Sequence, residues 1–175
     1  MDIRETLPIH TPVEAEVSAA GEFGSLDIRG GVARTGPLSM AELSALPRER
    51  LTERFACEEG WVVEGLTWQG IPLRAIVALC EPLPDVRYVR VCAEQYWLAL
   101  PLDAVDRALL CDTLNEEPLS REHGAPWRLV VSGGACFTSV KWVNRLELAA
   151  EAGAQTAERI ARDRLASSSE RGEGE

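Results

Sequence analysis

Three short stretches of this chain carry residue types that could do chemistry. The first is "FACEEGW", residues 55–61, where Cys57 is followed directly by Glu58 and Glu59. Two neighbouring carboxylates disfavour a thiolate, so Cys57 makes a poor unassisted nucleophile. A bound cation reverses that, because coordination deprotonates a thiol outright. A buried core thiol with Trp61 and Trp68 as ordinary core aromatics is the plain alternative. The second stretch is "REHGAPWRLVVSGG". His123 and Arg128 stand five apart, with a Gly-Ala-Pro turn and Trp127 between them. The turn predicts a loop position for His123 and the start of a strand for Arg128. A guanidinium fork suits phosphate oxygens, whereas a surface turn with a solvated arginine is the plain alternative.

The third is "GGACFTSVKW". Gly133 and Gly134 permit unusual backbone geometry, and Thr138 and Ser139 supply hydroxyls. Successive amides there could cradle an anion beside Lys141, although the spacing is not that of a nucleotide-binding P-loop. A glycine hairpin leading into a strand is the alternative. Lys141 is the only lysine among 18 basic residues.

Elements must position these groups. "PVEAEV" and "SLDIRG" alternate as half-buried strands do. Ser39 and Glu42 form a capping box ahead of a short helix closed by Pro47. "GWVVEGLTWQGIPL" is expected as strand, turn and strand, broken at Gly65 and Gly70. "PLRAIVALC" predicts a helix with Pro72 near its first turn. "VRYVRVCA" and "YWLALPL" predict strands, and "DAVDRALLCDTL" a helix capped by Asp103. "PWRLVVSGG" and "SVKWVNRLELAA" are expected as the last two strands. Cys80 and Cys111, at the ends of apolar runs, are expected as core thiols.

With 175 residues the chain has the length of one domain, and 46% hydrophobic content is enough for a core. A net charge of −10 argues against broad nucleic-acid binding, which needs a basic face. Five cysteines, an odd number without a CxxC pair, argue against a zinc site or a disulfide framework. No apolar run approaches the roughly 18 residues of a membrane span. The first residues show no basic region followed by an apolar stretch, so a cytoplasmic location is expected. An α+β domain is expected over about 26–150, after an N-terminal extension at 1–25. An exposed helix and a disordered tail are expected at 151–175.

In combination and order, "FACEEGW…WQGIPL", "ALPL" and "HGAPWRLVV…SVKWV" resemble the molybdopterin-binding oxidoreductase domain of the sulfite oxidase family. That family includes plant nitrate reductase and bacterial protein-methionine-sulfoxide reductase. The resemblance runs from about Leu26 to Leu148. It implies a single sulfite-oxidase-type domain with mixed sheets and short helices, and a molybdenum-molybdopterin (Mo-MPT) cofactor. It implies that Cys57 ligates molybdenum and is the catalytic residue. His123 and Arg128 would bind the pterin, and Ser139, Val140 and Lys141 its phosphate end. A further cofactor contact would fall near Cys92.

The implied activity is oxygen-atom transfer to or from a sulfite-like oxoanion or an S-oxide, with a separate electron-transfer protein as partner. A non-catalytic cofactor-holding or assembly subunit is the alternative. Three departures stand out. Residues 1–25 show no match to the family's N-terminal closing residues, and Glu94-Gln95-Tyr96 replaces Asp-Gly-Tyr. The dimerisation domain of sulfite oxidases also has no counterpart, so the pocket is expected to be either more open or completed by a partner subunit or a homo-oligomer.

Overall fold

The computed structural model describes residues 24–56, 62–94 and 96–160. Cys57, Glu58, Glu59 and Trp61 lie outside the described residues, as do the expected strand "PVEAEV" and the tail. Two five-stranded sheets carry the fold. The first contains β1 (Leu26–Gly30), β2 (Gly36–Leu38), β5 (Tyr88–Ala93), β6 (Tyr96–Pro101) and β10 (Arg145–Ala149). Its order is β2-β1-β10-β5-β6, and β1 runs parallel to β10 while the other pairs are antiparallel. The second contains β3 (Glu49–Ala56), β4 (Val62–Pro72), β7 (Ala108–Leu114), β8 (Glu117–Pro118) and β9 (Arg128–Val131). Its strands are antiparallel, in the order β3-β4-β7-β8, with β9 also paired to β7. A mixed-sheet α+β domain is what the sequence implied.

Helix α1 (Met40–Ser44) begins at the expected capping box. Ser39 Oγ accepts from Glu42 N–H, and the Glu42 carboxylate accepts from Ser39 N–H at 2.9 Å. That backbone donor, with Arg34 beside it, holds the Glu42 carboxyl at about 2, against an ordinary 4.5. A carboxyl depressed on folding stabilises the fold above its unfolded value and loses that contribution as pH falls. Thermal melts between pH 4.5 and pH 2 are therefore expected to fall more steeply for the wild type than for Glu42→Gln. Parallel curves would remove the carboxylate from the account.

Helix α2 (Leu73–Cys80) places Leu73, Ile76, Val77 and Cys80 on one buried face, the i, i+3, i+4, i+7 spacing of an amphipathic helix. The larger core joins these residues to Ile28, Val91, Leu146 and Leu148 of the first sheet and to Ile71, Leu110 and Leu129 of the second. A smaller core on the opposite face of the second sheet collects Leu66, Trp68, Leu109, Cys111, Leu114 and Val130. Among the described residues no helix is long and apolar enough to cross a membrane.

Three expectations are corrected. "DAVDRALLCDTL" is not one helix: a 3-10 turn, Leu102–Arg107, ends where β7 begins, and the turn has no side-chain cap. Ala108 to Cys111 are all buried because β7 faces both cores, so the apolar run is continuous and mimics a buried helix. "VVEGLTWQGIP" is one strand; its glycines mark irregularities rather than ends, with a register shift at Gln69/Gly70. The last strand starts only at Arg145, since Ser139 to Asn144 form a loop with Trp142 at φ 56. β3 was not anticipated.

Beyond position 150 the chain still packs on the domain. Arg90 donates to the Ala152 and Glu151 carbonyls, Thr156 Oγ1 accepts from Trp97 N–H, and Ala157 is fully buried. The expected exposed helix is thus partly covered, because β6 is an edge strand whose outward amides need acceptors.

Candidate functional site

Arg128 is the first residue of β9, as expected, but it is not solvated: the residue is 5% exposed. The period of two puts it on the same face as Val130, the face of the smaller core. There its guanidinium lies over the Trp68 ring, 4.8 Å from the centroid. Its Nε donates to Ser139 Oγ at 2.8 Å and its Nη1 to the His123 carbonyl at 3.1 Å. Burial pulls the guanidinium down to about 10, so at neutral pH it remains charged in a setting that disfavours charge.

His123 lies in the predicted loop and is 5% exposed. The turn is closed by Gly124 N–H to the Arg121 carbonyl and Ala125 N–H to the Ser120 carbonyl. A cavity of about 220 Å³ opens beside it, lined by Leu114, Pro118, Leu119, Ser120 and His123. Gly124 has φ +114, and a Cβ there would sit 3.0 Å from Lys141 Cβ. The lysine stem therefore packs directly on the histidine turn, and Lys141 Nζ donates to the Glu122 carbonyl at 2.8 Å. Val140 between them is fully buried, and its carbonyl accepts from Leu129 N–H.

So the fold brings His123, Arg128, Ser139, Val140 and Lys141 into one place, from a turn, a strand and a loop. Cys92 stands one step away. Its carbonyl accepts from Asn144 N–H at 3.1 Å, yet its thiol faces the Arg90 carbonyl and pairs in register with Arg145. Burial pushes that thiol up, and the Arg145 guanidinium opposes the rise. Cys80 and Cys111 are fully buried; burial pushes Cys80 up to about 11 and Cys111 higher still. Both are core thiols, as expected. Cys57 falls outside the described residues.

Two participants have no site role that the sequence reading assigns. Trp68 is 60 positions from the guanidinium it stacks on. Arg145 buries its Nε, which has no hydrogen-bond partner among the described residues. A buried guanidinium donor of this kind suits an anionic group.

An α+β domain that gathers two basic side chains and a histidine from a turn, a strand and a loop has the chemistry to hold an anionic group. The model of the oxidoreductase molybdopterin binding domain matches residues 10–157, and the chain belongs to that family. It is 31% identical over 130 residues to the uncharacterized oxidoreductase YuiH of Bacillus subtilis, covering 73% of this chain and 66% of that protein. It is 27% identical to the protein-methionine-sulfoxide reductase catalytic subunit MsrP of Campylobacter jejuni, covering 77% of this chain and 53% of that protein. It is 29% identical to the mitochondrial sulfite oxidase of Drosophila melanogaster, covering 71% of this chain and 27% of the enzyme. The fold matches the sulfane dehydrogenase SoxCD of Paracoccus pantotrophus with a TM-score of 0.70 at 24% identity, covering 88% of this chain and 47% of that one. The chain thus spans between about a quarter and two thirds of these relatives' lengths.

Proposed function

We propose that this protein binds Mo-MPT and acts as an oxidoreductase that moves an oxygen atom to or from a small sulfite-like oxoanion or S-oxide. The observation that carries the reading is the double engagement of Arg128, with Nε on Ser139 Oγ and Nη1 on the His123 carbonyl. One buried cation thereby locks the histidine turn to the serine-lysine loop. Arg128 and Lys141 would neutralise the cofactor's phosphate, Ser139 would offer a hydroxyl to it, and His123 would contact the pterin. Val140 holds the loop in register through its backbone. Arg145 is better placed than the Cys92 thiol to add a donor near the end of β5.

The bound cofactor would supply the redox chemistry, and the chain's own groups would bind, orient and desolvate it. Cys57 would provide a thiolate, a soft ligand apt for the metal. The relatives named sulfite oxidase and methionine-sulfoxide reductase support sulfur-centred substrates. A separate electron-transfer protein would deliver or remove electrons. The free Cys80, Cys92, Cys111 and Cys136 support a reducing compartment such as the cytoplasm.

Protein made in a host competent for molybdopterin is expected to carry about one molybdenum per chain, the number a single thiolate-ligated site holds. Cys57→Ser is expected to lose most of that metal and its thiolate charge-transfer absorption. Turnover of sulfite or methionine sulfoxide with a dye as electron carrier would separate an enzyme from a cofactor-holding subunit. Wild-type protein that takes up neither molybdenum nor pterin would sink the reading.

A further inference from the structure

We propose that Glu53 is a positioning residue: it ties strand β3 to the loop that delivers Ser139 and Lys141, and cofactor retention depends on that tie. The proposal rests on the cofactor reading above.

Among the described residues β3 pairs only with β4, at the edge of the second sheet. Along it Leu51 packs against the smaller core, and alternation puts Glu53 on the same side. A half-buried carboxylate at a position suited to a hydrophobic residue needs partners. It finds them 79 and 80 positions away, where one oxygen accepts from Ser132 Oγ and the other from Gly133 N–H at 3.4 Å.

Local turn hydrogen bonds then brace the segment that leads from Ser132 to the site. Ser132 N–H donates to the Arg107 carbonyl, Gly134 N–H to Val131, Thr138 Oγ1 to Ala135 and Ser139 N–H to Cys136. Ser139 then accepts from Arg128. Glu53 is therefore the far anchor of the segment that sets the Ser139 hydroxyl and, two residues on, Lys141. In sequence Glu53 is four residues before Cys57, so the same strand leads to the expected metal ligand.

The test compares Glu53→Ala, Ser132→Ala, the double variant and Glu53→Gln, each as full chain with and without cofactor. In cofactor-free protein, amide exchange over residues 132–139 is expected to quicken in both single variants. In loaded protein, molybdenum is expected to leave roughly ten-fold faster, the effect of losing a group that orients a ligand-bearing segment. The double variant should match the singles, because both remove one interaction. Glu53→Gln, which keeps an acceptor oxygen, should restore most of the retention.

Unchanged exchange with unchanged metal retention would overturn the proposal. So would faster exchange with normal retention, which confines Glu53 to loop stability. Faster exchange in a protein whose wild type takes up no molybdenum would overturn the cofactor reading instead.

Discussion

Arg128→Met is expected to keep the fold and lose the cofactor. The wild-type guanidinium is buried, and burial already pulls its pKa down to about 10. An apolar side chain of similar length removes that desolvation cost, a replacement that is often neutral for stability. Against the gain stand the hydrogen bonds to Ser139 and the His123 carbonyl. Cofactor-free stability should stay within about 2 kcal/mol of wild type, the size of the penalty for one buried acceptor left unsatisfied. Molybdenum content should fall at least about ten-fold, because a desolvated cation is lost from the anion's place.

Arg128→Lys should rescue little, since an ammonium cannot span Ser139 and His123 as the planar fork does. Arg128→Ala should lose the cofactor and also destabilise the fold by about 2 kcal/mol or more, through the cavity left beside Trp68. Metal analysis together with denaturant melts of the cofactor-free proteins separates these outcomes. Arg128→Met that retains full molybdenum would remove the residue from the binding machinery.

Gly70→Ala is expected to give a large loss of stability. A Cβ at Gly70 would lie 2.1 Å from the Leu110 carbonyl oxygen and 2.6 Å from Cys111 Cα. Both are backbone atoms of β7, so no side chain can swing away and the β4–β7 pair itself must part. The position also carries the register shift between those strands. Overpacking against fixed backbone should cost at least about 3 kcal/mol, lowering the melting temperature by roughly 6–12 °C for a chain of this size.

Gly65→Ala is the useful comparison. Nothing lies within 4 Å of its Cβ, and its φ of +70 leaves only the strain of a left-handed residue, about 1–2 kcal/mol. Because β7 carries β9, Gly70→Ala should lose cofactor only in proportion to unfolding, unlike Arg128→Met. Equal melting temperatures for the two glycine variants would show that the strand pair gives way more easily than its geometry implies.

Legibility in the sequence followed locality. The capping box at Ser39 and Glu42, helix α2 and the β5–β6 hairpin depend on residues a few positions apart, and each was readable. β7 was not, because a strand buried on both faces loses the alternation that marks strands and borrows the apolar run of a core helix. The loop Ser139 to Asn144 alternates as a strand does, so its sequence predicts one. Its backbone is instead committed to Gly124, Trp127 and Cys92 through the amides of Trp142, Val143 and Asn144.

By itself the sequence determined the family, since residue types and their order survive without coordinates. It also determined that His123 lies in a loop and that Arg128 opens a strand. Only the tertiary structure decided that Arg128 is buried rather than solvated, that Trp68 lies under it and that Glu53 anchors the loop from another strand. Those are contacts between positions 60 and 79 apart. No local pattern encodes them, because side chains that meet across a sheet are chosen by register and packing, which exist only once the chain has closed on itself.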